Sequence, residues 1–305
     1  MEGILPLWKE RGMTSHDCVF KLRKILQTKK IGHTGTLDPD VDGVLPICIG
    51  RATKVVEYMV DSGKAYVGEI TLGYSTTTED SSGEVVAKKA VEAPISEEEI
   101  DVMMAMFRGE ITQIPPMYSA VKVNGKRLYE YARAGEIVER PKRIAMIEQF
   151  VRTSTPIWDE VAQTISWKFE VTCGKGTYVR TLAVDLGEKL GYPAHMSDLT
   201  RTSSGKFNVS DCVTLAQVVT LMEENQIEEK LAPLEYGLSA FPFVALDDQT
   251  WEKVKNGGLL LKKDYADYAV PFVVTYHDKA CAIYDVHPSK KELLKPVKVL
   301  RNQLD

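Results

Sequence analysis

The 305-residue chain is expected to fold as an α+β protein, and three features of its patterning carry that expectation. Residues 64–73 and 165–173 alternate apolar and polar side chains with the period of two of a half-buried strand. Cys18, Val19, Leu22, Ile25 and Leu26 instead keep helical spacing, and Ser96-Glu97-Glu98-Glu99 starts another helix with a capping box. Past 234–242, where Pro, Gly and Ser interrupt the chain, β-like runs at 270–276, 280–286 and 297–300 follow a capped helix over 246–256 that ends in Gly257-Gly258. The chain is thus expected to divide into units 1–240 and 241–305.

The remaining elements follow in order. Thr14 or Ser15 can cap the first helix. The apolar run 44–49 reads as a buried strand, and Gly50-Arg51-Ala52-Thr53 can open a helix through residue 60. In the strand 64–73, Tyr66, Gly68, Ile70 and Leu72 share one face, where an aromatic is ordinarily a core residue. Thr76-Thr77-Thr78-Glu79-Asp80-Ser81-Ser82-Gly83 is a polar loop. The helix after Ser96 groups Ile100, Met103, Met104 and Phe107, its methionines reading as core filling. Asn124-Gly125 is a hairpin signal, and 128–135 is a short helix closed by Gly135. The strand 165–173 runs into Gly174-Lys175-Gly176-Thr177-Tyr178-Val179-Arg180 and a helix through 190, and 214–231 is again helix-like.

Apolar content of 44% and charged content of 27% are ordinary for a globular chain. No apolar run is long enough to span a bilayer, and the N-terminus lacks the basic-then-apolar order of a signal peptide. Five scattered cysteines without a Cys-x-x-Cys pair argue against a disulfide framework or a zinc ribbon. A cytoplasmic protein without membrane association is expected. A net charge of −5 speaks against a nucleic-acid partner, but the charge is unevenly spread. Residues 117–143 hold Lys122, Lys126, Arg127, Arg133, Arg140, Lys142 and Arg143 against Glu130, Glu136 and Glu139, a local balance of +4. Residues 18–33 add five cations and no acid. An acidic body with two basic segments suits a polyanion touching one face; solvated basic faces without a partner are the alternative.

The stretch Ile31-Gly32-His33-Thr34-Gly35-Thr36-Leu37-Asp38-Pro39-Asp40-Val41-Asp42-Gly43-Val44-Leu45-Pro46 is the candidate chemical centre. Gly and Pro can hold a carboxylate in one rigid pose, although composition alone favours a solvated turn. Asp38-Pro39-Asp40-Val41-Asp42-Gly43 imitates a calcium loop, but position twelve is the apolar Ile49 where a bidentate Glu is required. The Gly-Lys-Gly-Thr at 174–177 imitates a phosphate loop, but its spacing fails.

Gly32-His33-Thr34-Gly35-Thr36-Leu37-Asp38-Pro39 followed by Asp42-Gly43-Val44-Leu45-Pro46 resembles the signature loop of the TruB family, the tRNA pseudouridine-55 synthases. Further stretches resemble the same family in the same order. They are Lys9 with Gly12-Met13-Thr14-Ser15, residues 113–122, the segment around Arg180, and Ala194-His195-Met196-Ser197-Asp198-Leu199-Thr200-Arg201-Thr202. Trp8 and Glu10 depart from the usual Asp and Pro of the first motif. The resemblance implies a mixed, mainly antiparallel sheet core with flanking helices, a thumb insertion at about 117–143 and a short PUA-like β barrel at the C-terminus.

It also implies roles. Asp38 would be the catalytic aspartate, Arg180 its partner, Tyr66 a stacking platform for the target uracil, and Leu199 a packing surface for it. His33 would fill the stack vacated by the flipped base, and Lys9 would belong to the substrate-binding set. Lys122, Lys126, Arg127, Arg133 and Arg143 would grip the T arm of tRNA on an insertion mobile without RNA. An Arg nearby would keep the Asp38 carboxylate ionised. A cation at a helix start opposes the dipole, which favours a dedicated acidic partner. His195 is expected to have a structural hydrogen-bonding role.

Moving the glycosidic bond from N1 to C5 changes no oxidation state, so no cofactor is expected, nor is a protein partner implied. The base must first be extruded. Asp38 can then attack C6 of the uracil or C1′ of the ribose. A route through a glycal would need a base near C2′, from Asp38 or Tyr66. The competing readings are a non-catalytic tRNA-binding chaperone, and a hydrolase pairing Asp38 with Asp40 or Asp42.

Overall fold

The strand Gly3–Lys9 (β1) opens the chain in a computed structural model that describes residues 1–60 and 62–304. Thr14 caps helix α1 (Ser15–Ile25): its hydroxyl accepts from Asp17 N, and its own N–H donates back to the Asp17 carboxylate. The turn after it leads to β2 (Ile31–His33), the signature loop and β3 (Asp42–Ile49), which is buried along nearly its whole length. The helix expected from Gly50 starts as a 3₁₀ segment and becomes α-helical only as α2 (Val56–Val60).

Strand β4 (Lys64–Leu72) alternates as expected, with Tyr66, Gly68, Ile70 and Leu72 buried. The polar loop then closes a small ribbon of β5 (Tyr74–Thr76) and β6 (Val85–Lys88). Helix α3 (Glu97–Ala105) takes the Ser96 half of the expected capping box, the Ser96 hydroxyl accepting from Glu99 N. Strand β7 (Gly109–Gln113) leads into the insertion, where β8 (Lys122–Val123) and β9 (Lys126–Arg127) form the expected hairpin. Asn124 at φ 50° and Gly125 at φ 83° both take the left-handed conformation that such a two-residue turn requires. Helix α4 (Leu128–Ala134) ends at Gly135.

The chain re-enters the body through β10 (Arg143–Arg152), β11 (Ile157–Asp159) and β12 (Thr164–Cys173). Helix α5 (Val179–Leu190) and strands β13 (Ala194–Ser204) and β14 (Phe207–Asn208) follow. The helix-like stretch 214–231 is not one helix. It is α6 (Leu215–Glu223), broken at Asn225, whose φ of 57° cannot continue a right-handed helix, and then a 3₁₀ turn over Ile227–Lys230.

The main sheet runs in the order β1-β3-β13-β4-β12-β10-β7. Its pairs are antiparallel except β3 with β13, so the sheet is mixed but mainly antiparallel, as expected. Strand β13, far later in sequence, lies between β3 and β4 and brings their residues to a common centre. Gly43 is forced by that packing: a Cβ there would lie 2.2 Å from the Arg201 carbonyl oxygen. The core between sheet and helices includes Trp167, Phe150 and Phe169, the last two edge to face at 5.5 Å.

Beyond β15 (Phe243–Ala245) come α7 (Asp248–Val254), β16 (Leu260–Leu261), β17 (Phe272–Tyr276), β18 (Lys279–Val286) and β19 (Leu293–Val299). They form a second sheet ordered β15-β17-β18-β19-β16. Strand β19 begins earlier than the run at 297–300 suggests. Pro296 hides it in the sequence, but that residue sits at a register shift against Tyr284, where a missing N–H is tolerated. The two sheets share one apolar seam, in which Ile4, Val44, Phe207, Leu234 and Leu238 pack with Val273, Ala280 and Ile283. Arg301, buried at its edge, donates to Glu2, Glu235 and the Ala280 carbonyl.

Candidate active site

Asp38 sits on a loop that three separate elements hold in place. From the end of β1, the buried Lys9 ammonium donates to the carbonyls of Pro39 at 3.1 Å and Val41 at 2.6 Å. From the start of α1, the Ser15 hydroxyl accepts from Leu37 N at 2.8 Å. From β13, the Arg201 guanidinium donates to Gly35 O and Val44 O. Leu37 and Val41, on either side of Asp38, are buried as apolar anchors. The carboxylate between them keeps 40% of its side-chain exposure, enough to meet a ligand.

Arg180 faces it from the first turn of α5. Its Nη2 lies 3.0 Å from Asp38 Oδ2 and also donates to the Tyr118 carbonyl at 3.0 Å. Its Nη1 donates to Thr78 O at 2.8 Å and lies 3.7 Å from Asp80 Oδ2. Asp80 is itself held by the Thr78 and Ser82 hydroxyls. The acidic partner expected for a cation at a helix start is therefore a pair, Asp38 and Asp80. The start of α5 is fixed by Gln113, buried at the end of β7, which accepts from Tyr178 N and donates to Tyr178 O.

Opposing influences act on the charge of Asp38. Burial pushes its carboxyl above the usual carboxylate range, the Arg180 guanidinium pulls it down, and the nearby Asp80 carboxylate pushes it up again; the net displacement is upward. Arg180 limits the rise but does not decide it. Burial likewise raises the Tyr66 phenol, which disfavours its ionised form. Burial lowers His33, whose Nδ1 accepts from Gly35 N, so its ring is neutral and suited to stacking.

Register brings the other residues together. Arg201 lies opposite Tyr66 and Leu199 opposite Gly68 between β13 and β4, so Tyr66 and Leu199 are diagonal neighbours on one face. Lys9 is placed differently from a substrate-binding lysine: it is fully buried and its ammonium is spent on loop carbonyls, Glu10 O included. It positions Asp38. His195 is buried with Nδ1 3.1 Å from Tyr74 O, which fits the structural role expected of it. Asp42, one of the two alternative second carboxylates, is taken up by Arg11 at 3.2 Å and the Thr200 hydroxyl. It is thus not free to pair with Asp38.

The basic insertion stands beside this crevice. Lys122, Arg127, Arg133 and Arg143 are exposed. Arg127 and Arg133 lie over the Tyr129 ring, and Lys126 over Tyr131 while paired to Glu136 at 2.8 Å. Aromatic rings interleaved with cations are a surface for phosphates and bases. Sequence reading missed Asp80, Gln113, Arg201 and the anchoring role of Lys9. For Lys9, Gln113 and Arg201 the only signal was a place in the first, 113–122 and 194–202 motifs; Asp80 carried none that distinguished it from a loop residue.

A carboxylate clamped to an arginine and a buried tyrosine share one crevice of the mixed sheet, with a basic insertion beside it. Residues 23–179 match the N-terminal domain of TruB family pseudouridylate synthases, and residues 180–239 a tRNA pseudouridylate synthase B C-terminal domain. The chain belongs to the TruB family and is a pseudouridine synthase, an isomerase. It is 54% identical over 304 residues to tRNA pseudouridine synthase B of Bacillus pumilus (strain SAFR-032), covering 98% of each chain. It is 56% identical over 307 residues to the protein of that name from Listeria innocua serovar 6a, covering 99% of each. Among solved structures it is similar to a chain of a Cbf5-Nop10-Gar1 complex, with a TM-score of 0.71, 28% identity and coverage of 98% of this chain and 85% of that one. A chain of an H/ACA RNP bound to a substrate RNA containing 2′-deoxyuridine gives 0.69 at 25% identity, covering 98% and 85%. The C-terminal five-stranded sheet is PUA-like.

Proposed function

We propose that this enzyme isomerises uridine 55 in the TΨC loop of tRNA to pseudouridine, with Asp38 as the catalytic residue. The observation that carries the reading is the Asp38 carboxylate, fixed on a pinned loop 3.0 Å from Arg180 and open to a ligand. The relatives that match along the whole chain bear the name of tRNA-modifying enzymes, which supports tRNA as the substrate.

In this reading residues 1–240 are the catalytic domain, with the insertion at 117–143, and residues 241–305 a PUA-like RNA-binding domain of a cytoplasmic protein. Lys122, Lys126, Arg127, Arg133 and Arg143 hold the T arm through its phosphates. The target uridine leaves its stack, and the neutral His33 ring takes up the vacated space. The uracil lies on Tyr66 with Leu199 beside it. Asp38 then adds to C6 or displaces the base from C1′, and its own bond breaks again as the product forms, restoring the free carboxylate. The N1–C1′ bond breaks, C5 bonds to C1′, the C5 proton leaves to solvent and N1 gains one. Arg180 orients Asp38 throughout.

The test is a T-arm stem-loop transcript carrying tritium at uridine C5, incubated with wild type and with Asp38→Asn. Wild type is expected to release tritium, while the variant binds the RNA and releases none. Activity in Asp38→Asn would refute the assignment. Binding without release by wild type would favour a chaperone role, and free uracil would favour hydrolysis.

A further inference from the structure

Both roots of the basic insertion touch the groups that hold Arg180. At the entering root, the Tyr118 carbonyl accepts from Arg180 Nη2 at 3.0 Å. At the returning root, Arg140 donates to Pro115 O at 3.1 Å and lies 3.9 Å from Glu79 Oε1, the outer limit of a direct ion pair. The other oxygen of Glu79 accepts from the hydroxyl of Thr181, the residue after Arg180, at 2.7 Å. Glu79 thus joins the returning root to helix α5 through side chains. Its own side chain is mostly buried, and its neighbour Asp80 is the second acid on Arg180.

The backbone of Glu79 points the same way. It has φ 65°, the left-handed region that a residue with a side chain seldom occupies. Its carbonyl accepts from Met196 N on β13, and its own N–H donates to Thr76 O. Such strained positions persist where surrounding contacts over-determine them, and they collect at sites with a job to do. Here the conformation turns the carboxylate inward between Arg140 and Thr181.

We propose that Glu79 and Arg140 are positioning residues that couple the grip of the insertion on RNA to the geometry of Arg180, and through it Asp38. This rests on the isomerase reading of the site. When phosphates draw the insertion down, Arg140 closes on Glu79, and the Tyr118 carbonyl and the Thr181 hydroxyl fix the start of α5. In the structure the pair lies at the outer limit of direct contact. Full alignment of the catalytic pair then follows engagement of the substrate.

The experiment measures single-turnover tritium release and RNA affinity for wild type, Glu79→Gln, Arg140→Gln and the double variant. Glu79→Gln keeps an oxygen for Thr181 and loses only the charge. Each single variant is expected to lower the rate at saturating RNA by about tenfold. The Kd for the stem-loop should stay within about twofold, and the double variant should be no slower than either single, as for two residues acting through one interaction. Arg140→Lys, which keeps the charge, should recover part of the rate. Unchanged rates, losses confined to Kd, or losses that multiply in the double variant would each overturn the coupling. A readout independent of turnover is amide exchange in residues 178–182. RNA should slow it in wild type and not in Glu79→Gln; equal slowing in both would refute the proposal. An inactive wild type that still shows this difference would refute the isomerase reading alone.

Discussion

An aspartate with an ordinary carboxyl near 3.8 is expected to lose its charge only in strong acid, but Asp38 titrates higher, because burial outweighs Arg180. In the proposed reaction the ionised form is the one that attacks. Activity should therefore fall, as the pH is lowered, at a higher pH than an unperturbed aspartate would give. In Arg180→Met the lowering partner is gone, so the acid limb of the pH–rate profile should move further up. A limb that stays in place would show that Arg180 does not act on the Asp38 charge. The same shift has a sign for stability: the unfolded chain ionises this group more readily than the folded one. Ionising Asp38 thus opposes folding, and Asp38→Asn should melt no lower than wild type. Lys9→Met would strip the Pro39 and Val41 carbonyls of their donor, at a cost of about 2 kcal/mol read from the urea midpoint. Turnover should fall further than that loss of folded protein explains, because the loop presenting Asp38 is loosened.

The insertion behaves as a charged arm on a rigid root. Val121 and Leu128 are buried and joined by a backbone hydrogen bond, whereas the cations beyond them are mostly exposed. Arg127→Gln and Arg133→Gln each remove one cation from the phosphates, and each should flatten the dependence of log Kd on log salt by roughly 0.7–0.9. A slope unchanged by both would place the RNA elsewhere. Lys126 is occupied by Glu136, which competes with phosphate for it. Glu136→Gln should tighten RNA binding, by no more than about fivefold, since an exposed pair contributes about 1 kcal/mol or less. The hairpin was legible from sequence because Asn124-Gly125 encodes its turn locally, and α1 because Thr14 and Asp17 cap it within one turn. The Asp38–Arg180 pair was legible only by resemblance, because the two residues are far apart along the chain. Asp80, Gln113 and Tyr118 O were not legible, since each acts across elements through a backbone atom or a single side chain. Pro296 and Asn225 misled for the opposite reason: a local breaker signal was absorbed by a bulge in one case and ended a helix early in the other.

Across the whole molecule, the apolar seam makes the two sheets one thermodynamic object. Arg301 reinforces it, holding Glu2 from the N-terminus and Glu235 from the linking 3₁₀ turn. Arg301→Ala would leave Glu235 partly buried without its cation and Glu2 with Arg51 alone, a loss of about 3 kcal/mol. Urea unfolding should show a lower midpoint and still a single transition; two separated transitions would show that the sheets unfold independently.

The place of β13 in the main sheet has a further consequence, for the growing chain. The strands that present Asp38 and Tyr66 are both made within the first quarter of the sequence, yet they do not pair with each other. They meet only through β13, whose last residue is Ser204. A ribosome must therefore deliver two thirds of the protein before the crevice can exist, and pairings so distant in sequence close slowly. Until then the apolar flanks of β3 and β4 stand open and are at risk of association with other chains. The step that gives this enzyme its chemistry is also the one that ends its most vulnerable period of synthesis.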